Sequence, residues 1–252
     1  MAVCALVGLL LLVGGASTLR SPVEVVRVAA AASAPLTTPA APPSTTASAS
    51  RPTSAPPSEP SPGTTLEAMV VPDDGPRSYR TAKVSAPTTA TSGRLYRFDV
   101  RVEKGLGLDP DTVARTLART LDDRRSWRST GRARFSLVAA GERADLHAYV
   151  VTPGTTDRLC APLLTRGEVS CQAGDKVVLN AKRWVLGADA YGSSAAEVTD
   201  YREYLVNHEF GHALGRQHVG CPRRGEPAPV MLQQTKGLQG CTANPWPSVT
   251  KG

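Results

Sequence analysis

Eleven residues constrain this chain more than any other stretch: His-Glu-Phe-Gly-His-Ala-Leu-Gly-Arg-Gln-His, from His208 to His218. On a helix, side chains four residues apart project from one face, so His208 and His212 stand one turn apart with both imidazoles facing the same way. Glu209 lies about 100° further round the helix, outside the set of direct ligands but within reach of a water held between them. Gly215 stands where the helix must stop, because glycine takes the left-handed conformation without a Cβ clash and turns the chain sharply. His218 then returns with a third nitrogen. Three imidazoles and an open fourth position make the catalytic type of zinc site, whereas closed structural sites use four protein ligands, usually with thiolates. A bare His-Glu-x-x-His pair also occurs on ordinary solvated helices; the added glycine and third histidine make the pattern specific. Three of the chain's 4 histidines fall inside it. One zinc ion, with Glu209 as general base, is the expectation.

The remaining composition limits where a fold around this site can lie. Residues 1–19 are almost wholly apolar from Ala2 to Thr18 and read as a signal peptide or a membrane anchor. Residues 20–92 read as a disordered Ala/Pro/Ser/Thr-rich stalk and transition, because a tract this rich in proline and poor in apolar side chains cannot bury a core. A short strand at Met69–Val71 is expected within the transition. Cys160, Cys171, Cys221 and Cys241 form an even set that reads as two disulfides, and no C-x-x-C pair supports a second metal site. Three pairings are open; sequence proximity favours Cys160–Cys171 and Cys221–Cys241. Disulfides and the apolar leader together imply an extracytoplasmic protein, secreted or anchored by its N-terminal segment.

The folded domain is expected over 93–252. Tyr96, Phe98, Val100 and Val102 alternate with charged residues as a half-buried strand does. Asp109-Pro110 opens a helix whose stripe is Val113, Ala114, Leu117, Ala118 and Leu121. Strands follow at Arg134–Val138, Leu146–Thr152 and Lys176–Asn180. The motif helix is expected to begin at Asp200, with Glu203 completing a capping box. Tyr201, Tyr204 and Leu205 would share the histidine face, while Val206, Phe210, Ala213 and Leu214 face the core. The formal charge of +7 is concentrated in arginines from Arg115 to Arg134. With one interleaved aromatic, Trp127, and no nucleic-acid motif, this run reads as a solvated face; nucleic acid is not expected as a partner, and a cell-wall polymer contact is left open.

The stretch from Asn207 to His212, with Pro229-Val230-Met231, Gly240-Cys241 and Trp246-Pro247, resembles the metzincin clan of zinc metallopeptidases, and within it exported actinobacterial metzincin-like proteins. The resemblance implies an α+β fold: a twisted, mainly parallel sheet of about four to five strands on two long helices, with a small irregular C-terminal subdomain. That subdomain carries a methionine turn, so Met231 becomes a structural support under the metal, beside Gly215. It implies a monomeric endopeptidase acting on an extended peptide or protein substrate along an edge strand of the sheet. Gln233 stands where many metzincins have a tyrosine, which makes Tyr204 the candidate to hold the transition state. The alternatives are a non-catalytic zinc-stabilised surface module and a hydrolase of peptidoglycan cross-links.

Overall fold

A computed structural model describes residues 70–250, which belong to one unit of the chain. The expected leader at 1–19 and most of the expected stalk lie outside the described residues. Six strands form one sheet: β1 (Tyr79–Thr81), β2 (Arg94–Glu103), β3 (Ala133–Leu137), β4 (Leu146–Val151), β5 (Cys171–Ala173) and β6 (Lys176–Asn180). Four helices accompany it: α1 (Pro110–Asp122), α2 (Pro153–Cys160), α3 (Ala181–Leu186) and α4 (Ala195–Ala213). The main path runs β1-β2-β4-β6-β5, and β3 also pairs with β2. Strands β2, β3, β4 and β6 are mutually parallel, whereas β1 and β5 join antiparallel at opposite ends of that path. The fold is α+β with a mixed sheet whose centre is parallel. No helix among the described residues is long and apolar enough to cross a membrane.

Alternation along the strands sends two residue sets to two faces. Phe98, Val100 and Val102 of β2, with Ala148 and Val150 of β4, join the core that α1 and α4 cover. Phe210 of α4 is the wedge of that core, meeting Phe98 at 5.4 Å and Phe135 at 5.1 Å between ring centroids, both edge to face. Complete burial of such a ring contributes roughly 1.5–3 kcal/mol. On the opposite face Tyr149, Val151 and Val178 pack with the Cys160–Cys171 disulfide into a smaller core. Helix α1 begins as its sequence requires: the Asp109 side chain accepts the Thr112 N–H at 2.9 Å, and Val113, Ala114, Leu117 and Leu121 are buried.

Four expectations need correction. The ordered chain begins before Gly93. Strand β1 pairs with the end of β2, Ala82 is fully buried with its N–H on the Val100 carbonyl, and Ala86 bridges the edge of β3. The reason is Glu103, a fully buried carboxylate whose oxygens accept bonds from the Arg77 N–H, the Thr152 N–H and hydroxyl, and the Thr155 hydroxyl. Without residues 75–82 this carboxylate and the strand edges would lose partners they need. Met69–Val71 contributes no strand at its described residues, and Val70 is exposed. Helix α4 starts at Ala195: Ser194 caps it, its hydroxyl accepting the Glu197 N–H while the Glu197 carboxylate accepts the Ser194 N–H. Asp200 lies inside the helix, because the same cap signature occurs six residues earlier and nothing between breaks the helix. Finally, Tyr201, Tyr204 and Leu205 are as buried as Val206 and Phe210, so α4 is enclosed on both sides through its middle.

Candidate metal centre

The second half of α4 is immobilised by polar ties that sequence periodicity does not reveal. Buried Asn207 accepts the Ser126 hydroxyl at 2.6 Å and donates to the Pro245 carbonyl at 2.9 Å, while its own carbonyl accepts the Trp127 indole N–H at 2.7 Å. The helix therefore touches both the loop after α1 and the C-terminal tail one residue before His208. The C-terminus is a Schellman turn: the Gly215 N–H reaches the His212 carbonyl at 2.8 Å, and the Arg216 N–H reaches the Gly211 carbonyl at 3.0 Å. Gly215 has φ +79°, the conformation that favours glycine. This turn returns the chain so that His218 faces the helix.

The three histidines meet. Their Nε2 atoms stand 3.2 Å apart (His208–His212), 3.2 Å (His208–His218) and 3.0 Å (His212–His218). Each of the two helical rings has its other nitrogen anchored: Nδ1 of His208 donates to the Val230 carbonyl at 2.8 Å, and Nδ1 of His212 to the Arg216 carbonyl at 2.8 Å. Those bonds place the proton on Nδ1 and leave a lone pair on Nε2. Lone pairs aimed at one another at such distances repel unless a cation lies between them. A tetrahedral zinc with bonds of about 2.0–2.1 Å separates its ligand nitrogens by roughly 3.3–3.4 Å, close to the spacing seen. Burial pushes the His208 imidazole down to about 3, and lowers His212 and His218 as well, with the Lys236 charge adding to the effect at His218. Neutral imidazoles are what a metal requires. The three residues can hold a metal ion.

Glu209 completes the site. It is almost fully buried, its Oε2 has no hydrogen-bond partner, and desolvation raises its carboxyl to about 8. An orphan carboxylate oxygen is costly in a protein interior. A cation, or a water bound to one, is the partner that would relieve it.

Met231 packs against the helix that carries His208 and His212. The Gly211 backbone, between His208 and His212, is so close to Met231 and Trp127 that a Cβ there would stand 2.5 Å from Sδ and 2.6 Å from the indole Cζ2. The Val219 N–H reaches the Met231 carbonyl at 3.2 Å, which ties the chain after His218 to the same segment. The Cys221–Cys241 disulfide closes this C-terminal region, and both disulfides follow the nearest-neighbour pairing. Its internal strut is Gln234, fully buried, which accepts the Tyr191 hydroxyl and donates to the Asn244 and Pro229 carbonyls. Nothing in the local pattern marks Gln234 or Asn207 as special, since each acts through partners distant in sequence.

Tyr204 requires a correction. Its hydroxyl donates to the Leu232 carbonyl at 3.0 Å and accepts the Gln234 N–H at 2.9 Å. A hydroxyl committed in both directions holds the loop beside the metal site and is not free to hold a transition state. The arginine run is mostly solvated, as expected, with Arg115, Arg119, Arg124, Arg125 and Arg132 exposed, while some of its members also brace the fold. Arg125 pairs with Asp123 and lies 3.9 Å over the Trp246 ring, Arg128 pairs with Asp122, and Arg134 reaches the Gly93 and Ala90 carbonyls. His147, the fourth histidine, sits on the opposite sheet face with Nδ1 2.8 Å from Asp99.

A cavity of about 430 Å³ opens over the histidines. Its floor is α4; one wall is the loop before β5 with Ser170, Cys171 and Gln172, and the second wall is Gln233, Thr235 and Lys236. The edge strand bordering the site is therefore β5, antiparallel to β6 and open on its other side. No curated protein and no solved structure matches the chain. The family described as "Protein of unknown function (DUF3152)" matches residues 66–247, most of the length, and the chain belongs to that family.

Proposed function

We propose that this protein is an extracytoplasmic zinc-dependent endopeptidase of the metzincin type, acting as a monomer. One observation carries the reading: three Nε2 atoms within 3.2 Å of one another beside the buried, unpartnered Oε2 of Glu209, at the floor of an open cavity. His208, His212 and His218 would hold the zinc. When bound, zinc acts as a Lewis acid on the substrate carbonyl and brings the pKa of a bound water to about 7. Glu209 accepts the proton of the attacking water and delivers it to the leaving nitrogen as the C–N bond breaks. Its position suits it to this shuttle, because its Oε2 has no other hydrogen-bond partner and lies in the cavity beside the three imidazoles. The open edge of β5 offers main-chain donors and acceptors to an extended peptide. The turn at Pro229-Val230-Met231 orients His208 through the Val230 carbonyl and supports the helix at Gly211. The two disulfides support an oxidising compartment.

The test is zinc-loaded protein incubated with a diverse peptide mixture beside Glu209→Ala, with products read by mass spectrometry. Zinc-dependent cuts lost in Glu209→Ala are expected. A folded, zinc-loaded protein that cuts nothing, or a Glu209→Ala variant that cuts as well as its parent, would overturn the proposal.

A further inference from the structure

The cavity over the histidines has walls of contrasting chemistry. On the α2–β5 side, Leu163 and Leu164 line the mouth yet remain 55% and 81% exposed. Their loop is braced rather than slack. Cys160–Cys171 closes its base, the Gly167 N–H bonds Asp157 at 2.7 Å, the Asn180 amide reaches the Gly167 carbonyl at 2.9 Å, and Arg183 Nε reaches the Glu168 carbonyl at 2.6 Å. A loop tied this firmly holds two leucines in water at the entrance to a site, where a ligand's apolar group would cover them with little ordering cost.

The second wall carries a cation. Lys236 ends the 3-10 turn Gln234–Lys236, is exposed, and makes no ion pair among the described residues. Glu209 is the one carboxylate lining the cavity, and it is sequestered at the floor. An adjoining cavity shares Thr235 and Lys236 and adds Arg183 and Asp189. Arg183 is already paired with Glu168, and Asp189 forms no ion pair with Lys236. The ammonium of Lys236 is thus the charge left to meet a ligand.

We infer that the cleft selects peptides carrying a large apolar side chain, covered by Leu163 and Leu164, together with a carboxylate that pairs with Lys236. The inference rests on the peptidase reading and names the substrate class of that same site. Both features act on binding more than on chemistry, since neither wall touches the reacting atoms.

The test uses the full zinc-loaded chain and two randomised peptide libraries, one with free and one with amidated C-termini, against the parent, Lys236→Glu and Leu163→Ser/Leu164→Ser. A second readout is peptide binding to zinc-loaded Glu209→Ala, by fluorescence anisotropy. All the substituted wall residues are exposed or at the rim, and circular dichroism checks folding. The expected result is that parent products combine an apolar and an acidic group. Lys236→Glu lowers kcat/KM on acidic peptides up to about fivefold and favours lysine in their place. The leucine variant raises KM about tenfold with kcat little changed. Loss of the acidic preference on amidation assigns the carboxylate to a chain terminus; its persistence assigns it to Asp or Glu side chains. Cleavage with no apolar or acidic preference, or a preference unmoved by the variants, overturns the inference and leaves the peptidase standing. Selective binding without any cleavage removes the peptidase and retains the selectivity. Neither cleavage nor binding removes both.

Discussion

Gly211→Ala pits two effects of opposite sign against each other at the centre of the metal motif. In an exposed helix interior, alanine in place of glycine stabilises by about 1 kcal/mol, because glycine has more backbone freedom to lose. Here the added Cβ would lie 2.5 Å from Met231 Sδ and 2.6 Å from Trp127 Cζ2. Methionine can shift, but Trp127 is buried and pinned by its 2.7 Å bond to the Asn207 carbonyl. Overpacking a rigid site costs typically about 1–3 kcal/mol, and two contacts at this distance argue for the upper half of that range. The net expectation is a loss of about 1–2 kcal/mol. Any shift of Met231 also moves Val230, whose carbonyl orients His208. Disturbing such an outer partner weakens metal binding by about 10–100-fold. Urea unfolding with metal chelated reads the first effect, and competition with a chromogenic zinc chelator reads the second. Gly215→Ala is the control: no atom lies within 4 Å of its Cβ, so its cost of about 1 kcal/mol comes from φ +79° alone. If Gly211→Ala is as stable as the parent and binds zinc equally well, the argument for a tight Trp127–Gly211–Met231 seam fails.

Other expectations follow from the same geometry. Zinc should bind one to one and raise the unfolding temperature; at a hundredfold excess over Kd the gain is about 2.7 kcal/mol, and alanine at His208, His212 or His218 should abolish it in calorimetry. The pH dependence has a worked sign. In metal-free protein His208, near 3 when folded, makes stability fall as pH drops below its ordinary 6.5, by up to about 1.4 kcal/mol per pH unit. Glu209, near 8 when folded and 4.5 unfolded, makes stability fall as pH rises between those values. A bound cation relieves the Glu209 penalty, so the zinc-induced shift in thermal melts should grow from pH 6 to pH 8; a shift that shrinks over that range contradicts it. A chain starting at Gly93 loses β1, the burial of Ala82 and one of the donors to Glu103, and should fail to unfold cooperatively in urea, unlike the full chain. Glu103→Ala in the full chain should cost at least about 1–3 kcal/mol by leaving the buried Thr152 N–H unpaired.

What the sequence determined by itself is the local part of this protein. The spacing of His208, His212 and His218 set a shared metal-binding geometry because helix pitch and a glycine turn are short-range physics. Alternation in β2 and the Asp109-Pro110 start of α1 were legible for the same reason. The cap of α4 is ambiguous in the sequence because two S/T/D-x-x-E signatures lie six residues apart, and helix continuity chooses the earlier one. Short elements such as α2, α3 and β5 carry no period long enough to read. Tertiary structure alone decided the rest: that residues 75–82 close on Glu103, that Asn207 and Gln234 brace the site through distant partners, that the Tyr204 hydroxyl is held by the loop after Met231, and that β5 is the edge beside the histidines. Each depends on which far-apart backbone groups come to share one interior, where an unpaired polar group is costly, and a single chain written in order does not state those meetings.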